Sequence, residues 1–116
     1  GSGAAGDLYL QVELAAHPRY RLVGNDLEMD LPVTPWEAAL GAKVTVPTLG
    51  GRVDLTVPAG TQSGSRLRLK GRGIGGDLLA VVKIMTPRAT TDAQRELYRR
   101  MAREMPMNPR AAFENG

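Results

Sequence analysis

Apolar and polar residues alternate one by one through most of the first three quarters of this chain, a period that fits half-buried strands and no helix. Leu8, Leu10, Val12 and Leu14 share one parity against Tyr9, Gln11 and Glu13, so residues 7–14 are expected as a strand. Leu27, Met29 and Leu31 do the same against Glu28 and Asp30 over 27–31. Further strands are expected at 42–47, at 52–57 (Val53, Leu55 and Val57 against Arg52, Asp54 and Thr56) and at 66–70. Residues 77–84 are more continuously apolar, the pattern of a central strand covered on both faces.

The connections carry turn chemistry. Leu49-Gly50-Gly51 lies between two alternating runs and reads as a hairpin. Pro58 to Ser65 is a polar loop, and Pro32, Pro47 and Pro58 each close a strand. One short helix is expected after Thr34: Thr34 fits the N-cap, Pro35 the first helical position, Glu37 the capping box and Gly41 the C′ position. Helical periodicity returns only at the end. Thr91 and Gln94 have capping-box spacing, and a helix is expected from about 92 to 105, before Pro106. Ala93, Leu97, Met101 and Met105 recur every four residues beside Tyr98, opposite Arg95, Glu96, Arg99, Arg100, Arg103 and Glu104. A helix this short is unstable alone and must bury its stripe against its own sheet or against a partner subunit.

Gly6–Leu14 matches Gly76–Ile84 in pattern, 70 residues further on. Two copies of a module-closing strand point to tandem β modules, with the chain expected to open on the last strand of one and to contain the whole of the next. Gly1-Ser2-Gly3 resembles an expression scar, and residues 1–5 are set aside as scar or linker. The remaining segments are then 6–24 (closing strand and linker), 25–88 (complete module), 89–105 (helix) and 106–116 (tail).

Several chemistries are excluded. The chain has no cysteine, which removes disulfides, thiolate zinc sites and a cysteine nucleophile. Its single histidine, His17, stands in a turn-like His17-Pro18-Arg19 without a nucleophile pattern around it, so no catalytic residue, metal site or cofactor is expected. No apolar run approaches the roughly 20 residues of a membrane span. Gly71-Arg72-Gly73-Ile74-Gly75-Gly76 looks like a phosphate loop, but a strand follows it where a phosphate loop needs a helix N-terminus.

Two features remain. With 15 Lys and Arg against 12 Asp and Glu the chain is mildly basic, and Arg66, Arg68, Lys70 and Arg72 fall together without an acid. On one strand these four would share a face, a basic stripe that either meets phosphates or is simply solvated. Met29 and Leu31, with Val46 on the strand after the short helix, suit either ordinary core or an apolar groove where an extended peptide adds at a sheet edge.

The run Asp26–Gly41, followed by Val44-Thr45-Val46-Pro47-Thr48-Leu49, Val57–Gly64, Leu67–Gly73 and Gly76-Asp77-Leu78, strongly resembles the C-terminal region of DnaJ-type co-chaperones. Within that family, Pro35–Gly41 is most similar to a bacterial DNA-binding paralogue. The resemblance implies a mainly β, two-layer β-sandwich-like domain, the second of two, with one short internal helix and a C-terminal dimerisation helix. It implies a homodimer held by Leu97, Tyr98, Met101 and Met105, and an auxiliary groove for unfolded client polypeptides at Met29, Leu31 and Val46. Delivery of clients to a DnaK-type chaperone would need a J domain, which this stretch lacks; His17-Pro18-Arg19 differs from that domain's His-Pro-Asp signature. The expected setting is cytoplasmic, with nucleoid association and DNA contact through Arg66, Arg68, Lys70 and Arg72 as the rival function. A third possibility is a module that only joins two protomers.

Overall fold

The computed structural model describes residues 19–114. The strand expected at 7–14 lies outside them. The described residues divide into two compact units, 19–86 and 87–114.

The first unit is a two-layer β structure. Strands β1 (Tyr20–Val23), β2 (Asp26–Val33), β3 (Ala42–Thr48), β4 (Gly51–Val57), β5 (Arg66–Leu69) and β6 (Leu78–Ile84) follow in order, with helix α1 (Pro35–Leu40) between β2 and β3. One sheet has the order β1-β2-β6-β5, and β3-β4 form a separate hairpin. β2 and β6 run parallel, with Leu27 beside Leu78 and Val33 beside Ile84, while the other pairs are antiparallel. The parallel pair is fastened at both ends: the Leu27 amide donates to the Asp77 carbonyl at 2.9 Å, and the Met85 amide donates to the Val33 carbonyl at 2.8 Å.

Parity decides what is buried. Leu27, Met29, Leu31 and Val33 of β2 share one face with Leu78, Ala80 and Val82 of β6, and all seven are buried. That face joins Val46 of β3 and Val57 of β4 in one core, the second layer covering the first. The Tyr20 hydroxyl donates to the Pro47 carbonyl at 2.9 Å and so ties the edge strand β1 to the second layer. β6 lies between β2 and β5, and Leu79 on its other face is buried too, as the continuous apolar run requires.

Helix α1 has the expected capping box. The Glu37 amide donates to Thr34 Oγ1 at 3.2 Å, and the Thr34 amide donates to Glu37 Oε1 at 2.9 Å. A six-residue helix cannot hold itself together, so its exit is laced to the next loop: the Gly60 and Thr61 amides donate to the Ala38 carbonyl at 2.9 and 3.0 Å. Gly41 caps it, and Ala38 alone is buried. Strand β1 was not expected, since its four residues fall in the stretch assigned to a linker. Its signal is the alternation of Tyr20 and Leu22 with Arg21, just before the Gly24-Asn25 turn.

The second unit contains α2 (Asp92–Glu104), begun by Thr91, whose Oγ1 accepts from the Gln94 amide at 3.1 Å. Its end falls one residue short of the expected 105. A four-residue helix, α3 (Ala111–Glu114), lies in the segment assigned to a tail. Among the described residues no helix is long and apolar enough to cross a membrane.

Leu78 is fully buried at the centre of the parallel pair. Leu78→Ala should lower unfolding free energy by about 2–5 kcal/mol in urea titrations, whereas exposed Leu40→Ala should change it by less than about 0.5 kcal/mol.

Candidate functional site

The basic run divides where β5 ends. Arg66 and Arg68 project from β5 on the face away from the core, in rows with Val81 and Leu79 of β6. Arg66 Nη2 lies 3.4 Å from Glu28 Oε2, across β6 on strand β2, and Arg21 Nη2 lies 3.4 Å from Glu28 Oε1 and 3.1 Å from Asp30 Oδ1. Arg68 Nη1 lies 2.5 Å from Asp77 Oδ2. Both β5 arginines are therefore neutralised locally. Lys70 and Arg72 leave the strand, because β5 stops at Leu69 and Gly71 turns the chain with φ +74°. The single stripe expected from alternation is thus corrected to two ion-paired arginines on a sheet face and two cations in a turn.

That turn is a hydrogen-bonded glycine loop. The Gly71 amide donates to Asp77 Oδ1 at 2.7 Å, the Asp77 amide donates to Asp26 Oδ1 at 2.8 Å, and the Gly73 amide donates to the Gly76 carbonyl at 3.0 Å. A Cβ at Gly73 would overlap the Asp77 carbonyl, and one at Gly76 would overlap the Asn25 carbonyl. The Gly71 amide and then Arg68 hold the Asp77 carboxyl below the usual carboxylate range, and Asp77 raises Arg68 in return. Lys70, Gly71, Gly73, Gly75, Gly76 and Asp77 line an open depression of about 410 Å³. Strand β6 follows, so the loop lacks the helix N-terminus that a phosphate loop uses. No group of three or more His, Cys, Asp or Glu side chains among the described residues is placed to hold a metal ion.

Met29, Leu31 and Val46, the expected groove, are 3, 6 and 0% exposed. Parity alone could not distinguish groove from core. β2 is interior to its sheet and β3 belongs to the other layer, so the strands flanking α1 do not meet at an edge. The three residues face the space between the layers and form part of the core.

Helix α2 is the opposite case: none of its residues is buried. Leu97, Met101 and Met105 are 66, 40 and 64% exposed. Tyr98 is half-buried, its hydroxyl donating to the Pro87 carbonyl. The polar side is knitted by Arg95–Asp92 at 2.9 Å, Arg103–Glu96 at 3.0 Å and Arg100–Glu104 at 3.3 Å. Those pairs hold the helix without using its apolar stripe. Met107 and Phe113, in the segment from which nothing was expected, are also exposed.

A two-layer β module joined to an amphipathic helix is what the sequence resemblance requires, and residues 1–87 match the family model of the DnaJ C terminal domain. The chain belongs to the DnaJ C-terminal domain family. It is 54% identical over 114 residues to the curved DNA-binding protein of Coxiella burnetii strain Dugway 5J108-111, which covers 95% of this chain and 36% of that protein. The curved DNA-binding protein of Serratia proteamaculans strain 568 is 51% identical over 105 residues, 86% of this chain and 34% of its own length. That of Pseudomonas syringae pv. tomato is 46% identical over 120 residues, 98% of this chain and 38% of its own. The chain therefore spans about a third of the length of the curated relatives it matches.

Because the Asp77 carboxyl is depressed, the loop contacts it makes should be fully present above the ordinary carboxylate range and be lost as pH falls through the lowered folded value. The Gly71 amide resonance should titrate only at acid pH, and Asp77→Asn should speed exchange of that amide several-fold at neutral pH, read by NMR. Unchanged exchange in the variant would contradict the assignment.

Proposed function

We propose that this chain is the dimerisation module of a DnaJ-type co-chaperone, with client holding as an auxiliary role. One observation carries the reading: α2 presents Leu97 and Met101, with Met105 at its C-cap, to solvent and buries none of its residues. Apolar surface left in water costs about 25 cal/mol per Å², and a second copy of the same helix is the self-complementary cover that two-fold symmetry supplies. Two weak client sites on one dimer then act at high effective concentration. Client contact at Met29, Leu31 and Val46 requires the two layers to part, so holding at those residues is subordinate to dimerisation. Transfer of clients to a DnaK-type ATPase belongs to a J domain outside the matched region.

A second reading, DNA binding in a nucleoid-associated protein, is favoured by Lys70 and Arg72, which are exposed and make no ion pair among the described residues, and by the name of the relatives, curved DNA-binding protein.

Leu97→Asp combined with Met101→Asp should yield monomers in sedimentation equilibrium while the unfolding midpoint of the β unit stays unchanged; a persisting dimer would refute the helix assignment. Side by side, binding to duplex DNA should fall steeply with salt, whereas binding to an unfolded polypeptide should persist, which separates the two functions.

A further inference from the structure

We infer that, where this chain meets duplex DNA, the phosphates rest on the turn-bearing end of the sandwich, carried by Lys70, Arg72 and Arg52, and not on the outer face of β5. The inference rests on the DNA-binding reading above and gives it a location. Three connections converge at this end. Gly76 is packed so closely on Asn25 of the β1–β2 turn that a Cβ would overlap the Asn25 carbonyl. Arg72 Nη1 lies 3.3 Å from where a Cβ on Gly50 of the β3–β4 turn would stand. Arg52 is one residue beyond that turn, beside Pro47.

At this end of the sandwich the ion pairs separate these cations from the two arginines of β5. A cation contributes to DNA binding by releasing a condensed counterion when it meets a phosphate, and an arginine already seated on a carboxylate must first give up that contact. Arg66 is seated on Glu28 and Arg68 on Asp77. Lys70, Arg72 and Arg52 make no ion pair among the described residues, and all three are exposed. The acids at this end are engaged internally, Asp26 by the Asp77 amide and Asp77 by the Gly71 amide and Arg68. The remaining charge of Asp77 keeps phosphates off the floor of the depression and toward Lys70, which lines it, and Arg72 beside the β3–β4 turn.

The test is a salt titration of the full chain against an A-tract duplex by fluorescence anisotropy. Lys70→Gln with Arg72→Gln should lower the slope of log K against log salt by about 2 per protomer engaged, and Lys70→Gln alone by about 1, while Arg66→Gln leaves it unchanged. The single variant stands if the double one fails to fold. An unchanged slope in the Lys70 and Arg72 variants, with a loss in Arg66→Gln, would move the phosphates to β5 and overturn the inference while leaving the DNA reading intact. A wild-type chain that binds no duplex even at low salt would overturn both.

Discussion

The parallel pairing of β2 with β6 is the interaction on which the rest of the first unit depends. Asp26 and Asp77 stand 51 residues apart in sequence, yet the amide of one meets the carboxylate of the other at 2.8 Å. A parallel pair needs a long connection, and here that connection carries α1, the β3–β4 hairpin and β5. Each has a place because of the pair. The hairpin covers the apolar face that β2 and β6 jointly present, and β5 takes the free side of β6. Gly76 is required because the chain must pass Asn25 at backbone contact before β6 can begin. Loss of that pairing would leave Leu27, Met29, Leu31 and Val82 without a common neighbour.

The same pairing distributes charge. Rows running across β2, β6 and β5 put Glu28, Leu79 and Arg68 side by side, and Asp30, Val81 and Arg66 in the next row. Arginines from both flanks therefore reach Glu28, and the outer face becomes a short-range network of opposite charges. Individually such partly exposed pairs contribute little to stability, about 0–1 kcal/mol. Their larger consequence is that they neutralise Arg66 and Arg68 on the sheet face, whereas Lys70 and Arg72 in the following turn make no ion pair among the described residues. In the second unit, ion pairs likewise occupy the polar side of α2 and leave the apolar side uncommitted.

Much of this was legible in the residues. Alternation located β2, β3, β4 and β5, the continuous apolar run marked β6 as central, and Thr34 with Glu37 announced α1 by a local hydrogen-bond pattern. These are local signals, set by pleat and cap geometry. Strand β1 has four residues and buries only Tyr20, too little for it to stand out from a linker. The parallel register is a long-range outcome that no local pattern carries, so Met29, Leu31 and Val46 were compatible with groove and core alike until the covering layer was seen. Lys70 and Arg72 continue the parity of Arg66 and Arg68 in sequence, but Gly71 ends the strand, and parity has no meaning beyond a strand's end. The exposed stripe of α2 was visible as periodicity; what it faces is not a property of one chain's pattern.

The central claim is that a second copy of this chain covers that stripe. The most direct measurement is an isotope-filtered NOE experiment on a mixture of labelled and unlabelled chains. The account predicts cross-peaks between the Leu97, Met101 and Met105 methyl groups of one copy and the same helix of the other. Methyl groups that show contacts only within their own chain, at concentrations where the protein is fully associated, would contradict it.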